Sequence, residues 1–160
     1  MNVPDAQLLK DVRIELTHHE LRPVYVVPSQ RRTLTAAQGA HTLLDYETID
    51  GRDNLGQAVV MRLLTRRGEL TELGHPEYGS RLHELLGAPN SETRRSLAKL
   101  FVLEALAQEP RIAKVLEVTV TPHPERTDER RHLVDILVRV QPAGAAESVT
   151  IGPFTLRFAS

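Results

Sequence analysis

Residues 91–112 read SETRRSLAKLFVLEALAQEPRI, and this stretch contains the clearest helix signal of the chain. Ser91 is a small polar residue that can cap a helix, and Glu92 places an acid in the first turn, where the helix dipole favours it. Pro110 lacks an amide donor and stops the helix. The apolar positions cover most of the circumference, which predicts a central, buried helix. They are Leu97, Leu100, Phe101, Val102, Leu103, Ala105 and Leu106.

Three runs of alternating apolar and polar residues follow this helix. They lie at residues 116–120, 134–140 and 149–158, separated by polar turns at 121–131 and 142–147. A period of two is typical of strands with one face on a core. Strands joined by short polar turns pair as hairpins, so the sequence predicts an antiparallel meander. The expected fold class is α+β, with helices packed on one face of a small antiparallel sheet.

Two more helices are predicted before residue 91. One, over residues 54–66, begins at Asn54, a possible N-cap, and stops before Gly68, which can adopt a left-handed conformation. The other, over residues 80–86, is expected to end at Gly87. Its buried stripe should consist of Leu82, Leu85 and Leu86.

The first fifty residues have a different character. Alternation predicts two short strands, at residues 12–16 and 24–27, and residues 29–51 are polar and expected to be irregular. The whole chain is expected to be a single domain. Its parts are an N-terminal arm at residues 1–50, a core at 51–142 and a C-terminal strand at 143–160.

The composition excludes several classes of protein. The 160 residues include 20 Lys and Arg, 21 Asp and Glu, and no Cys, so disulfide scaffolds and thiolate metal sites are impossible. The seven histidines lack metal-ligand spacing, and no metal or cofactor is expected. A formal net charge of -1 removes the broad electrostatic argument for nucleic acid or an anionic membrane. The apolar runs are too short for membrane insertion, and the N-terminus does not resemble a secretory signal, so synthesis in the cytoplasm is expected.

The junction between the central helix and the meander has unusual chemistry. Glu109 and Arg111 flank Pro110, and across a bend their side chains can point the same way. A guanidinium can donate two hydrogen bonds to one carboxylate, and breaking a partly desolvated pair costs about 3–5 kcal/mol. A surface turn whose Glu and Arg are both solvated is the ordinary alternative.

Three motifs occur in a fixed order along the chain. Residues 62–70 read RLLTRRGEL, residues 75–80 read HPEYGS, and residues 109–112 read EPRI. With the central helix between the second and third, this order resembles the small baseplate-wedge family of contractile phage tails. It is the gene-product-twenty-five-like family, and some of its members are named tail lysozyme. Relatives of the family occur in extracellular contractile injection systems and in type VI secretion. The resemblance covers about residues 51–140.

The resemblance implies a structural, non-enzymatic subunit of a contractile injection particle, present in multiple copies in a ring. Its implied partners are the larger wedge subunits, the sheath protein, and the tube or spike hub. The sheet-bearing half of the family resembles the connecting domain of the sheath, so the first sheath ring can dock on it and be templated. Docking of this kind needs an open sheet edge, which we place at residues 148–158. The residues implied in partner binding are Glu109, Pro110 and Arg111, with Arg62, Glu69 and Tyr78 as braces.

The particle that incorporates the chain is expected to be released or membrane-associated. The long arm favours an extracellular injection particle over type VI secretion. The name tail lysozyme makes a peptidoglycan-degrading hydrolase the alternative, and glycoside hydrolysis usually needs two carboxylates about 5 to 9.5 Å apart, one with a raised pKa. The chain has no Trp and 4% aromatic residues, which is poor material for a sugar-stacking cleft. No catalytic residue is therefore assigned; the carboxylates weighed for that role are Glu69, Glu72, Glu77 and Glu84.

Overall fold

The computed structural model of the chain describes residues 9–16, 25–33, 42–124 and 132–158. Some of the expectations fall on residues outside these ranges, namely residue 24, residues 34–41 and residues 125–131. The fold class is α+β, as the sequence predicts. The elements are β1 (Lys10–Val12), β2 (Glu15–Leu16), β3 (Tyr25–Val26), β4 (Ser29–Thr33), β5 (Thr42–Tyr46), β6 (Thr48–Asp50), α1 (Gly51–Leu64), two 3-10 helices (Thr71–Leu73 and Leu82–Leu85), α2 (Glu92–Leu106), β7 (Ile112–Pro122), β8 (Leu133–Pro142) and β9 (Val149–Arg157).

The predicted meander is confirmed. Strands β7, β8 and β9 form one antiparallel sheet in that order. Every second residue of β8 from Val134 to Val140 is fully buried, so one face of the sheet lies against the core. The first strand begins earlier than expected, at Ile112, because the chain enters the sheet directly after the turn at Pro110.

Helix α2 begins where the sequence predicts. Ser91 is the N-cap, and its hydroxyl accepts a hydrogen bond from the Arg94 amide at 3.3 Å. The expectation of burial all round is wrong, because only the side facing the sheet and α1 is covered. Leu100 is 48% exposed, whereas Phe101 and Leu106 are buried.

Helix α1 begins three residues earlier than predicted. Strand β6 ends at Asp50, and Gly51, with φ of 57°, turns the chain directly into the helix, so no linker is needed. Asn54 is therefore not the cap but lies inside the helix, where it is 3% exposed. Leu55 and Leu63 of the same helix are fully buried in the core.

The expected helix over residues 80–86 is a 3-10 helix spanning Leu82–Leu85. Three residues per turn place Leu82 and Leu85 on the same side, and both are fully buried. Leu86 falls outside that repeat and is exposed, so its predicted burial is wrong.

The arm contains more strand than the sequence predicts. Strands β4 and β5 pair as an antiparallel hairpin, β2 pairs with β3, and β1 pairs with β6. For residues 29–33 and 42–50 the expected irregular structure is therefore wrong, because strand pairing overrides the polar composition of these segments. None of the helices in the described ranges is long and apolar enough to cross a membrane.

The first predicted strand of the arm is divided by a side chain of α1. Gln57 accepts a hydrogen bond from the Ile14 amide at 2.8 Å and donates one to the Val12 carbonyl at 2.9 Å. These two bonds attach the arm to α1 at the point where β1 ends and β2 begins.

We predict that Leu106→Ala lowers the free energy of unfolding by about 2–5 kcal/mol, because it opens a cavity between α2 and the sheet. Leu100→Ala, in the same helix but exposed, should change it by about 0.5 kcal/mol or less. Urea denaturation of both variants measures the difference. Equal losses would contradict the placement of the core.

Candidate partner-binding site

Glu109 lies in the turn between α2 and β7 and is 5% exposed. Its amide donates to the Leu106 carbonyl at 3.1 Å, and its carbonyl accepts from the Ile112 amide at 3.0 Å. The alternative of a solvated carboxylate on a surface turn is therefore wrong. A charge at such depth needs partners that replace water.

Two arginines share the Glu109 carboxylate. Oε1 accepts a hydrogen bond from Nε of Arg111 at 2.7 Å, and Oε2 accepts one from Nη2 of Arg62 at 3.3 Å. The predicted contact between Glu109 and Arg111 is confirmed, and Arg62 braces it from α1 as expected. Arg62 is itself only 7% exposed. Arg62 thereby ties the turn to the first helix, and Arg111 holds the carboxylate from within the turn.

Tyr78 completes this group, which we call the corner cluster: Arg62, Tyr78, Glu109 and Arg111. The guanidinium carbon of Arg62 lies 4.4 Å from the centre of the Tyr78 ring, a cation–π distance. Burial raises the pKa of the Tyr78 hydroxyl. The positive charge of Arg62 lowers this pKa, the negative charge of Glu109 raises it, and the positive charge of Arg111 lowers it, but burial has the largest effect. The phenol is therefore neutral at physiological pH.

The environment of Glu109 keeps it ionised. Burial by itself would raise the pKa of this carboxyl. The hydrogen bond from Arg111 and the positive charges of Arg111 and Arg62 outweigh burial, so the pKa lies below its ordinary value. The cluster is thus an ionic contact at neutral pH.

Two of the sequence motifs meet beside the cluster. The Ser80 amide donates to the Thr65 carbonyl at 2.8 Å, and the Arg67 amide donates to the Ser80 carbonyl at 2.9 Å. Gly79 has φ of 104°, and a Cβ there would lie 2.7 Å from the Thr65 oxygen. The close approach of the two segments therefore requires glycine, and it positions Tyr78 over Arg62.

The other predicted site residues lie differently. Pro110 is exposed at the tip of the turn. Glu69 is also exposed, and its carboxylate accepts a hydrogen bond from the Arg66 amide at 3.0 Å instead of reaching the corner cluster. Its expected bracing role is wrong, because the turn after α1 uses this carboxylate to satisfy a free amide. Contact of these residues with a partner stays a prediction.

The carboxylates considered for hydrolysis lie on the surface. Glu77 pairs with Arg67, and Glu84 pairs with Arg81 at 2.7 Å. The hydrogen bond from Arg81 lowers the pKa of Glu84, opposite to the shift that a glycosidase acid needs. Within the described ranges no group of three or more His, Asp or Glu residues is arranged to hold a metal ion.

A groove of about 440 Å³ beside β9 was not predicted. Its walls are the arm, including Arg13 and Ile14, the face of α1 from Arg52 to Met61, and the first part of β9. Among the described strands β9 pairs only with β8, so its outer edge is open here. The expected edge position of the last strand is thus confirmed, but the groove forms only when the arm folds against α1.

A second unpredicted contact lies on the sheet. Nδ1 of His123 is 2.9 Å from the Asp135 carboxylate, which also accepts a hydrogen bond from the Thr155 hydroxyl at 2.7 Å. The three residues come from neighbouring strands or their ends, so only the register of the sheet brings them together. Sequence spacing carries no signal for such a contact.

We predict that Glu109→Gln lowers the free energy of unfolding at pH 7 by about 3–5 kcal/mol, because the buried Arg62 and the partly buried Arg111 lose a shared anion. Glu117→Gln removes an exposed pair with Arg139 and should cost about 0–1 kcal/mol. Urea denaturation of the two variants compares a buried with an exposed ionic contact.

The same variants test the pKa direction. A carboxyl whose folded pKa is below its unfolded value of about 4.3 stabilises the fold above that pH and loses this contribution as pH falls through the folded pKa. The stability difference between wild type and Glu109→Gln should therefore shrink below about pH 4. A difference that is independent of pH would contradict the ionised state of Glu109.

Comparison with known proteins places these features in a family. Residues 49–143, which include α1, the motifs, α2 and the corner cluster, match the family described as baseplate wedge protein gp25. The solved structure of a candidate tail lysozyme from Geobacter sulfurreducens is 23% identical, with 66% of this chain and 90% of that chain covered and a TM-score of 0.49. No curated protein matches the chain in sequence. The chain belongs to the baseplate wedge protein gp25 family and is a component of a phage-tail-like baseplate.

Proposed function

We propose that this protein is a structural, non-enzymatic subunit that joins the larger wedge subunits of the baseplate to the first sheath ring and templates sheath assembly. The observation that carries the proposal is that helix α1 contributes residues to two separate surfaces of the protein. Helix α1 forms a wall of the groove beside β9 and also supplies Arg62 to the corner cluster. A helix is stiff over this length, so partners at the two surfaces are held in a fixed relation.

The corner is suited to a wedge partner because it is rigid before binding. Pro110 has a restricted φ, and its N-terminal neighbour, Glu109, is held in place by burial. Arg111 keeps 19% of its side chain exposed. A surface that is already ordered loses less conformational entropy on association, which favours affinity.

The open edge of β9 is suited to the sheath. An extended strand from a sheath subunit can pair with the unpaired backbone groups of an edge strand, which is β-augmentation. The groove gives such a strand room, and the residues of β9 that line it are Val149, Thr150, Ile151 and Gly152. Because the same type of pairing can repeat in the next ring, the first docking event acts as a template.

The particle is proposed to be an extracellular contractile injection system rather than a type VI system. The support is the arm, which contributes β1 and β6 on α1 in addition to the core matched by the family. The alternative of a peptidoglycan hydrolase has less support, because the pKa of Glu84 and of Glu109 is lowered, not raised.

We predict that Arg111→Ala folds but does not co-assemble with the large wedge subunits. Glu109 keeps its contact with Arg62, so the stability loss should be about 1.5–3 kcal/mol, that of a hydrogen bond to a charged group. Lys99→Ala, an exposed basic position on α2, is the control and should assemble normally. Co-purification with the wedge subunits is the measurement, and intact baseplates at normal yield with Arg111→Ala would refute the role of the corner.

We predict that the sheath covers the open edge of β9. The chain has no Cys, so Thr150→Cys is a unique thiol in the groove and Thr93→Cys an exposed control on α2. Both should react with a maleimide in baseplates without sheath, and only Thr150→Cys should become protected when sheath is added. If Thr150→Cys stays equally reactive after sheath addition, the sheath docks elsewhere.

A further inference from the structure

Gly56 lies inside helix α1, and the packing of the chain does not explain why this residue is glycine. A glycine in a helix interior destabilises the helix relative to alanine. At Gly79 and Gly152 an added Cβ would lie 2.7 Å and 2.6 Å from a backbone oxygen, so both positions require glycine. A Cβ at Gly56 would meet no other segment of the described chain within 4 Å. The isolated subunit therefore has a weak point in α1 that its own contacts do not require.

Gly56 lines the groove beside β9, in the middle of the helix face that forms one wall. Residues three and four apart share a face of a helix, and the groove-lining residues of α1 follow this spacing. Arg52 and Asp53 lie on the N-terminal side of Gly56, and Val60 and Met61 lie on its C-terminal side. The absence of a side chain at Gly56 leaves a gap in this wall, which we call the notch.

The groove around the notch is suited to an apolar side chain. Its two arginines, Arg13 and Arg52, pair with Glu47 at 3.5 Å and with Glu147 at 2.9 Å. A charged side chain entering the groove would lose water next to half-buried apolar residues, which costs free energy. Those half-buried apolar residues are Ile14, Ile49, Val60 and Met61.

The part of the β9 edge that can accept a strand is short. Leu137 of β8 faces two residues of β9, Gly152 and Pro153, so the register shifts there. Pro153 also lacks an amide donor. Regular pairing on the outer edge is therefore limited to Val149–Ile151. Extended backbone satisfies the unpaired amides and carbonyls of such an edge and a helix does not, so the occupant of the groove is a short strand.

The pleat of β9 determines where the side chains of an added strand point. Ile151 is 6% exposed and faces the core, whereas Thr150 is exposed on the other face of the sheet. Side chains directly opposite each other on neighbouring strands point to the same face. A residue paired with Ile151 would therefore point towards the α1 wall of the groove, where Gly56 leaves room for it.

We propose that the strand that docks on β9 carries a large apolar side chain, and that this side chain fills the notch at Gly56. The inference rests on the proposed function, because it takes the docking of a sheath strand on β9 and names the residue that selects the strand. A strand with a small or charged residue at this position would leave the notch empty or bury an unpaired charge. Gly56 thus lowers the stability of the free subunit and provides a specific contact in the assembled one.

The test uses baseplates without sheath that contain the full chain with Thr150→Cys as its unique thiol. Sheath protein is added, and the concentration that protects half of the thiol from a maleimide is measured. Gly56→Leu fills the notch and should raise this concentration about tenfold or more, because the incoming side chain can no longer be buried there. Gly56→Ala should have a smaller effect in the same direction. Ser96→Leu, at an exposed position of α2, is the control and should leave the concentration unchanged.

The isolated subunit supplies a second measurement. Gly56→Ala should raise the midpoint of urea denaturation, because alanine has a higher helix propensity than glycine. A variant that is more stable alone but docks sheath less well separates a role in docking from general damage to the fold.

Three results would overturn the proposal. A lower urea midpoint for Gly56→Ala would mean that glycine is needed for the fold of the subunit itself. Equal half-protecting concentrations for the Gly56 variants and the control would mean that sheath docks on β9 without using the notch, and the proposed function would stand. No protection of Thr150→Cys in any background would mean that sheath docks elsewhere, and the proposed role of the β9 edge would fail together with the inference.

Discussion

The Glu109 carboxylate, shared between Arg62 and Arg111, is the contact on which the rest of the structure depends. It joins α1 to the turn between α2 and β7 at one buried point. A buried ionic group adds little net stability compared with apolar packing, because desolvation offsets the attraction. Its value here is geometric: hydrogen bonds to a carboxylate have preferred directions, so α1 and this turn meet at one defined angle.

That geometry connects the fold to assembly. Arg62 is the residue of α1 that follows Met61, which lines the groove beside β9. A change in the angle of α1 would therefore affect the corner and the groove together. A subunit that sits between wedge and sheath needs this kind of coupling between surfaces, and it needs no reactive group. The low pKa of Glu109 is consistent with a permanent ionic contact and not with proton transfer.

Local signals in the sequence were sufficient for some elements and not for others. The Ser91 cap and the alternation in β8 act within one element, so α2 and the meander were predicted correctly. The start of α1 depends on the positive φ of Gly51, and strand β1 of the arm depends on β6, a partner far along the chain. The burial of Glu109 also escaped prediction from the residues around it, because Arg62 lies 47 positions away. The order of the motifs indicated that Arg62, Tyr78, Glu109 and Arg111 lie close together. Only the packing shows that Glu69 is not part of this cluster.

A reconstruction of the assembled baseplate by electron microscopy, at a resolution that resolves side chains, tests the central claim most directly. The account predicts that Pro110 and Arg111 lie against a neighbouring wedge polypeptide, with the Glu109 carboxylate still bound between its two arginines. Density in which this turn faces solvent on every side, or in which Glu109 has left both arginines, would contradict the account.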